Sequence, residues 1–172
     1  MPSHACEGCN EVNRADLQAA LKHPNVQAFL RAIRLGEGTE DEAGYNRIVG
    51  GGMFSDDSTH PHIKVFLPKY QVYSTAAGAY QIIFPTWTGL TKQYGFPDFS
   101  PECQDEAAVA LIAEKHALDD VVSGDLKSAV QKCAAIWASL PGSTAGQRTE
   151  SYHAVEQVYL ANGGKLSDPP SA

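Results

Sequence analysis

An α+β fold, mainly helical with one small antiparallel β-sheet and a substrate cleft, is predicted by three observations. Apolar residues recur at helical spacing near the start of the chain and again from about residue 85 to 162. Between these, from 39 to 83, the periodicity gives way to glycines, turn residues and short β-prone runs. Finally, no internal repeat or linker divides the 172 residues, a length that suits one domain with a sound core. Helices first, then a small sheet, then more helices is an α+β order.

Each element has a local cause. Residues 1–12 carry no regular pattern, and with a short helix over 13–23 they make up an N-terminal extension, 1–24. Asn13 is the expected N-cap, and Ala15, Leu17, Ala19, Ala20 and Leu21 have good helix propensity. Pro24 breaks that helix and opens the next, over 25–36, which Gly36 and Gly38 are expected to stop. Strand-prone runs follow at 47–49, 63–67 and 71–73, separated by Gly50-Gly51-Gly52 and Ser55-Asp56-Asp57-Ser58. Helices are then expected over 85–93, from Ser100-Pro101 to about 117, over 125–139, and over 148–162. Their inward faces carry Ala107, Ala108, Leu111 and Ile112; then Leu126, Ala129, Val130, Cys133 and Trp137; then Tyr152, Val155 and Tyr159. Residues 25–165 form the main domain, and 166–172 are expected to be a disordered tail.

Composition excludes several classes of function. The net charge of −7 argues against a nucleic-acid partner, which would call for a basic patch. No apolar run approaches the roughly 18 residues that span a bilayer, so no stable membrane insertion is expected. The start, Met1 to Cys6, lacks a basic stretch followed by an apolar one, so no signal peptide is expected and the chain reads as a cytoplasmic product. Of four cysteines, Cys6-x-x-Cys9 has a redox or metal spacing without a second such pair, and a local disulfide or two free thiols is the simpler reading. Cys133 lies on an apolar stripe and reads as a buried free thiol. His60-Pro61-His62 lacks a third ligand at suitable spacing, so no metal and no cofactor is expected. Neither a phosphate loop, a nucleophile elbow nor a zinc-protease motif is present.

The chemistry centres on Leu35-Gly36-Glu37-Gly38-Thr39. Val26, Phe29, Leu30 and Ile33 make one helical face, and Glu37 follows Val26 by 11 residues, close to three turns. A carboxylate therefore lands on the buried face at the C-terminal end of a helix. Burial and the negative end of the helix dipole should both raise its pKa, as a general acid requires. The alternative is a solvated Glu at a frayed helix end, which is how Glu40 and Glu42 read. Downstream, Ser74-Thr75-Ala76-Ala77-Gly78-Ala79-Tyr80-Gln81 joins small residues to polar ones that suit hydrogen bonding to sugars, or else forms a tight turn before a helix. Tyr70, Tyr73, Tyr80, Phe84, Trp87, Tyr94 and Phe96 crowd the same half; sugars stack on aromatic faces, although most of these residues should be core.

At these residues the chain resembles the endolysins of bacteriophage lambda and its relatives, which have a lysozyme-like α+β fold. The resemblance runs through Gly36-Glu37-Gly38-Thr39, Gly44-Tyr45, Ile48-Val49-Gly50-Gly51 and Phe54-Ser55-Asp56. It continues through Ser58, His60-Pro61, Ser74-Thr75, Ala77-Gly78, Tyr80-Gln81, Asp98-Phe99-Ser100-Pro101, Gln104-Asp105 and residues 136–142, covering roughly 25–165 in order. It implies lytic transglycosylase action on peptidoglycan: cleavage of the β-1,4 bond between N-acetylmuramic acid and N-acetylglucosamine, with 1,6-anhydro products. It implies Glu37 as the catalytic acid, Ser74, Thr75, Tyr80, Gln81, Tyr45 and Ser139 as substrate-binding residues, and cleft lips near 62–71 and 139–148.

The chain departs from that pattern where Asn46 and Gly52 stand in place of two acids. The nearest candidates for a second carboxylate are Asp56 and Asp57. A hydrolase of the two-carboxylate kind needs a second acid, whereas a transglycosylase takes its nucleophile from the substrate. The other readings are a hydrolytic muramidase and a non-catalytic glycan-binding module on the same fold. The expected partner is the peptidoglycan glycan strand, met by a monomer that leaves the host cytoplasm for the periplasm through a separate pore-forming protein.

Overall fold

The computed structural model describes residues 11–146 and 148–167. Helix α1, Arg14–Leu21, starts in a capping box: the Asn13 side chain accepts from the Asp16 N–H, and the Asp16 carboxylate accepts from the Asn13 N–H. Helix α2, Pro24–Glu37, has Pro in its first turn and a His23 side-chain cap. Gly36 does not stop it. The helix runs through Gly36 to Glu37 and ends at Gly38, whose φ of 68° is the left-handed cap conformation.

A 3₁₀ turn, Glu42–Asn46, leads into the loop region. The sheet is a single antiparallel hairpin, β1 Val65–Leu67 with β2 Val72–Ser74, in the register Val65 opposite Ser74. The run at 47–49 forms only isolated bridges, Arg47 to Met53 and Ile48 to Ala77. The glycine triplet reverses the chain before a ladder can extend.

Helix α3 spans Phe84–Tyr94, and α4 spans Pro101–Glu114 with a Ser100 cap. Helix α4 ends before 117, because His116 adopts a φ of 54°; an unanticipated helix, α5, follows at Leu118–Ser123. Helix α6, Leu126–Cys133, is much shorter than the expected 125–139. Turns over 134–140 replace its second half, and the buried Trp137 Nε1–H donates to the Tyr80 carbonyl at 3.0 Å. That tertiary bond and the burial of Leu140 override helix continuation. Helix α7, Tyr152–Ala161, begins at a Ser151 cap rather than at 148.

The core packs α2 against α7, with Phe29, Ile33, Val155 and Tyr159 buried, and the same buried cluster includes Val109 and Ile112 of α4 and Val130 and Cys133 of α6. Helix α1 packs on α4 through Leu17, and Arg14 pairs with the buried Glu106 at 2.6 Å, so the extension shares this core. The tail is not loose at its start: Lys165 N–H donates to Asn25 Oδ1, and Ser167 N–H to the Gly124 carbonyl. Residues 168–172 and the Cys6–Cys9 pair lie outside the described residues. Cys133 is a buried free thiol whose pKa burial pushes up to about 12. Among the described residues no helix is long and apolar enough to cross a membrane.

Candidate active site

Glu37 is the last residue of α2. Arg34, one turn earlier, is buried and donates to the Thr39 and Asp41 carbonyls, fixing the chain just past the acid. The Thr39 hydroxyl donates to the Ala79 carbonyl and ties the same corner to the loop carrying Tyr80 and Gln81.

Among the described residues the Glu37 carboxyl accepts one side-chain hydrogen bond, from Ser139 Oγ to Oε1 at 2.6 Å. Burial raises its pKa above the ordinary range, and the Ser139 bond opposes that rise. Gly36 makes the approach possible. A side chain there would put Cβ 2.8 Å from the Ser139 Cβ and still closer to its hydroxyl.

Two cavities meet at Glu37. One, of about 500 Å³, is lined by Ser74, Tyr80, Gln81 and Trp137. The other, of about 580 Å³, is lined by Arg47, Lys69, Tyr70, Gln81, Ser139 and Arg148. Glu37, Val49 and Gln81 line both, so the acid sits where two lobes of one cleft join. Volumes of this size are ordinary for ligand sites. The expected lips match in part: Leu67 lines the first lobe, while Lys69, Tyr70, Ser139 and Arg148 line the second.

Of the expected substrate-binding residues, Ser74, Tyr80, Gln81 and Ser139 line the cleft. The Tyr80 hydroxyl is not offered to it, since it donates to Asp105 Oδ1 at 2.6 Å. Gln81 Nε2 is committed to the Arg47 and Gly78 carbonyls. Ser139 acts on Glu37 itself. Tyr45 and Thr75 are not brought to Glu37. Tyr45 lies with its ring 4.4 Å from the Arg34 guanidinium and its hydroxyl on Asp105, because the 3₁₀ turn packs it inward. Thr75 Oγ1 accepts from the Phe84 N–H and faces a different groove.

Neither Asp56 nor Asp57 lines either lobe; Asp56 caps the Ser58 N–H. The carboxylate that shares a lobe with Glu37 is Glu114, exposed at the end of α4. His60 is buried with Nε2 at 2.8 Å from the Ile82 carbonyl, a packing role. Sequence reasoning missed Gln104. Its amide accepts from the Ala79 N–H and donates to the Tyr45 and Phe99 carbonyls, holding the 78–81 loop in place. Its signal was there: Gln104 precedes Ala107, Ala108 and Leu111 at i+3, i+4 and i+7, a polar residue on an apolar stripe.

A chain with this acid, cleft and fold has clear relatives. The endolysin family model matches residues 27–166. The endolysin of Escherichia phage P2 is 40% identical over 157 residues, covering 83% of this chain and 94% of its own. That of Escherichia phage lambda is 43% identical over 149 residues, covering 83% and 93%. The bacteriophage lambda lysozyme solved in complex with a chitohexasaccharide superposes with a TM-score of 0.78 at 36% identity, covering 83% of this chain and 96% of that one. A second structure of the lambda lysozyme gives a TM-score of 0.73. With a matching family model over most of its length and relatives at 40% identity and above, this chain belongs to the lambda-type endolysin family.

Proposed function

We propose that this endolysin, a peptidoglycan-degrading enzyme that cleaves glycosidic bonds, works as a lytic transglycosylase with Glu37 as its single catalytic carboxyl. Protonated Glu37 gives its proton to the bridging oxygen between C1 of N-acetylmuramic acid and C4 of N-acetylglucosamine, and the bond from that oxygen to C1 breaks. The resulting carboxylate then takes the proton from the muramyl 6-hydroxyl as O6 bonds to C1. The product is a 1,6-anhydro sugar, no water is consumed, and Glu37 ends protonated.

The observation that carries this reading is the setting of Glu37: a carboxyl with raised pKa, one hydrogen bond, and a position at the junction of two lobes. Such a group can act as acid and then as base. The chitohexasaccharide held by the lambda lysozyme supports a β-1,4-linked glycan as the cleft's ligand. No cofactor enters the scheme. The enzyme would reach its substrate as a monomer, through a separate pore-forming protein.

A hydrolytic muramidase is the second reading, and Glu114 in the lobe lined by Tyr80 and Trp137 is the observation that favours it. Mass spectrometry of digests of purified peptidoglycan separates the two. Anhydro-muropeptides from the wild type, none from Glu37→Gln, and unchanged products from Glu114→Gln are expected. Reducing-end muramic acid as the main product would overturn the transglycosylase reading. Intact lysis by Glu37→Gln would overturn the assignment of Glu37.

A further inference from the structure

Beside the lobe lined by Ser74, Tyr80 and Trp137 lies a third cavity of about 580 Å³ with no part in the scheme above, lined by His62, Lys64, Tyr73, Thr75, Phe84 and Pro85 among others. Ser74 and Ile83 line both it and the Glu37 lobe, so the groove branches directly from the cleft. Its walls are largely apolar. The His62 ring stacks on Phe84 at 3.7 Å between centroids, 10° from parallel. Tyr73 is 70% exposed and Ile83 44%, so both offer apolar surface to an occupant of the groove.

Its charge is the reverse of the protein's. From Ser58 to Pro97 the chain carries no Asp or Glu, yet it holds Lys64, Lys69, Lys92, His60 and His62 in a protein of net charge −7. The hairpin and the start of α3, which build the groove, come from this acid-free stretch. An apolar trough with an exposed Lys64 suits an occupant with short aliphatic side chains and carboxylates.

We propose that this groove seats the acidic peptide stem that branches from muramic acid, so that the enzyme reads the glycan strand and its peptide together. The proposal rests on the reading of the Glu37 cleft as a peptidoglycan site. The stem's methyl and methylene groups lie against Tyr73, Ile83 and the His62–Phe84 stack, and a stem carboxylate faces Lys64. The shared wall at Ser74 and Ile83 is where the peptide leaves the sugar-binding lobe.

The test compares purified glycan strands that keep their peptides with strands stripped of them by an amidase. The wild type is expected to cleave peptide-bearing strands with a higher kcat/KM, the difference lying in KM. Lys64→Glu should reduce that preference by roughly 5-fold to 10-fold, as expected when an exposed attraction becomes a repulsion. Tyr73→Ala should reduce it by about 5-fold. Both should leave the rate on bare strands unchanged. Equal cleavage of the two substrates by the wild type, or an equal loss on both in the variants, would overturn the proposal. Retention of each strand by Glu37→Gln gives a readout independent of turnover. If the wild type cleaves neither substrate, the catalytic reading fails, while preferential retention of peptide-bearing strands still upholds the groove and equal retention sinks it.

Discussion

Glu37 and Asp105 are both carboxyls withdrawn from water, and in both burial is the leading cause of a raised pKa. Their surroundings differ. Asp105 accepts the Tyr80 hydroxyl at 2.6 Å and the Tyr45 hydroxyl at 3.0 Å, with Arg34 and Arg31 nearby lowering its pKa again. It is a satisfied acceptor at the centre of a network, beside a cavity of about 260 Å³. Among the described residues Glu37 has one side-chain partner, Ser139, and it lines both lobes of the cleft. Desolvation alone therefore does not make a general acid. On the function proposed above, what distinguishes Glu37 is that the rest of its carboxyl faces space a substrate can fill.

The sharpest way to break this contrast is to neutralise each carboxyl. Glu37→Gln should lower the initial rate of cell-wall clearing by about 10³-fold, within the usual range for losing a general acid. Its circular dichroism should stay native. Asp105→Ala should do the opposite. Two tyrosine hydroxyls lose their acceptor, at a cost of about 2 kcal/mol in urea denaturation. Its turnover per folded molecule should fall far less than that of Glu37→Gln. A large activity loss without a stability loss at Asp105 would erase the distinction.

Gly36→Ala tests the approach of Ser139. The added methyl collides with that side chain, so rearrangement is expected to cost about 1–3 kcal/mol, read from thermal melts, and to lower activity. Ser139→Ala is milder. It removes the influence that lowers the Glu37 pKa, so the basic limb of the kcat/KM profile should move to higher pH. A limb that stays in place or moves down would show that Ser139 does not tune the acid.

The smallest effect concerns stability. The folded-state pKa of Glu37 is raised, so its contribution to stability is fully present below the unfolded pKa and is lost as pH rises through the folded value. Glu37→Gln should therefore raise Tm more at pH 7 than at pH 4. Equal shifts at both values would mean that the carboxyl is not strained by burial.

Legibility differed along the chain for physical reasons. Asn13, Pro24, Ser100 and Pro101 act locally, and the helices they open begin where the sequence places them. The end of α6 was not legible, because what stops it is a bond from Trp137 to Tyr80, 57 residues away. Tyr45 looked like a cleft residue for the same reason: its partners, Arg34 and Asp105, meet it only in three dimensions.

The sequence by itself determined the helical face of α2 and the arrival of Glu37 at its end, because a 3.6-residue repeat and a glycine cap are short-range facts. It also determined the acid-free stretch from Ser58 to Pro97. Only the tertiary structure decided that Ser139, 102 residues later, would donate to that carboxyl, and that Gly36 matters as room for Ser139 rather than as a helix stop. Only the fold, too, could join the acid-free stretch to the cleft as a branching groove, since adjacency across loops is set by packing rather than by spacing along the chain.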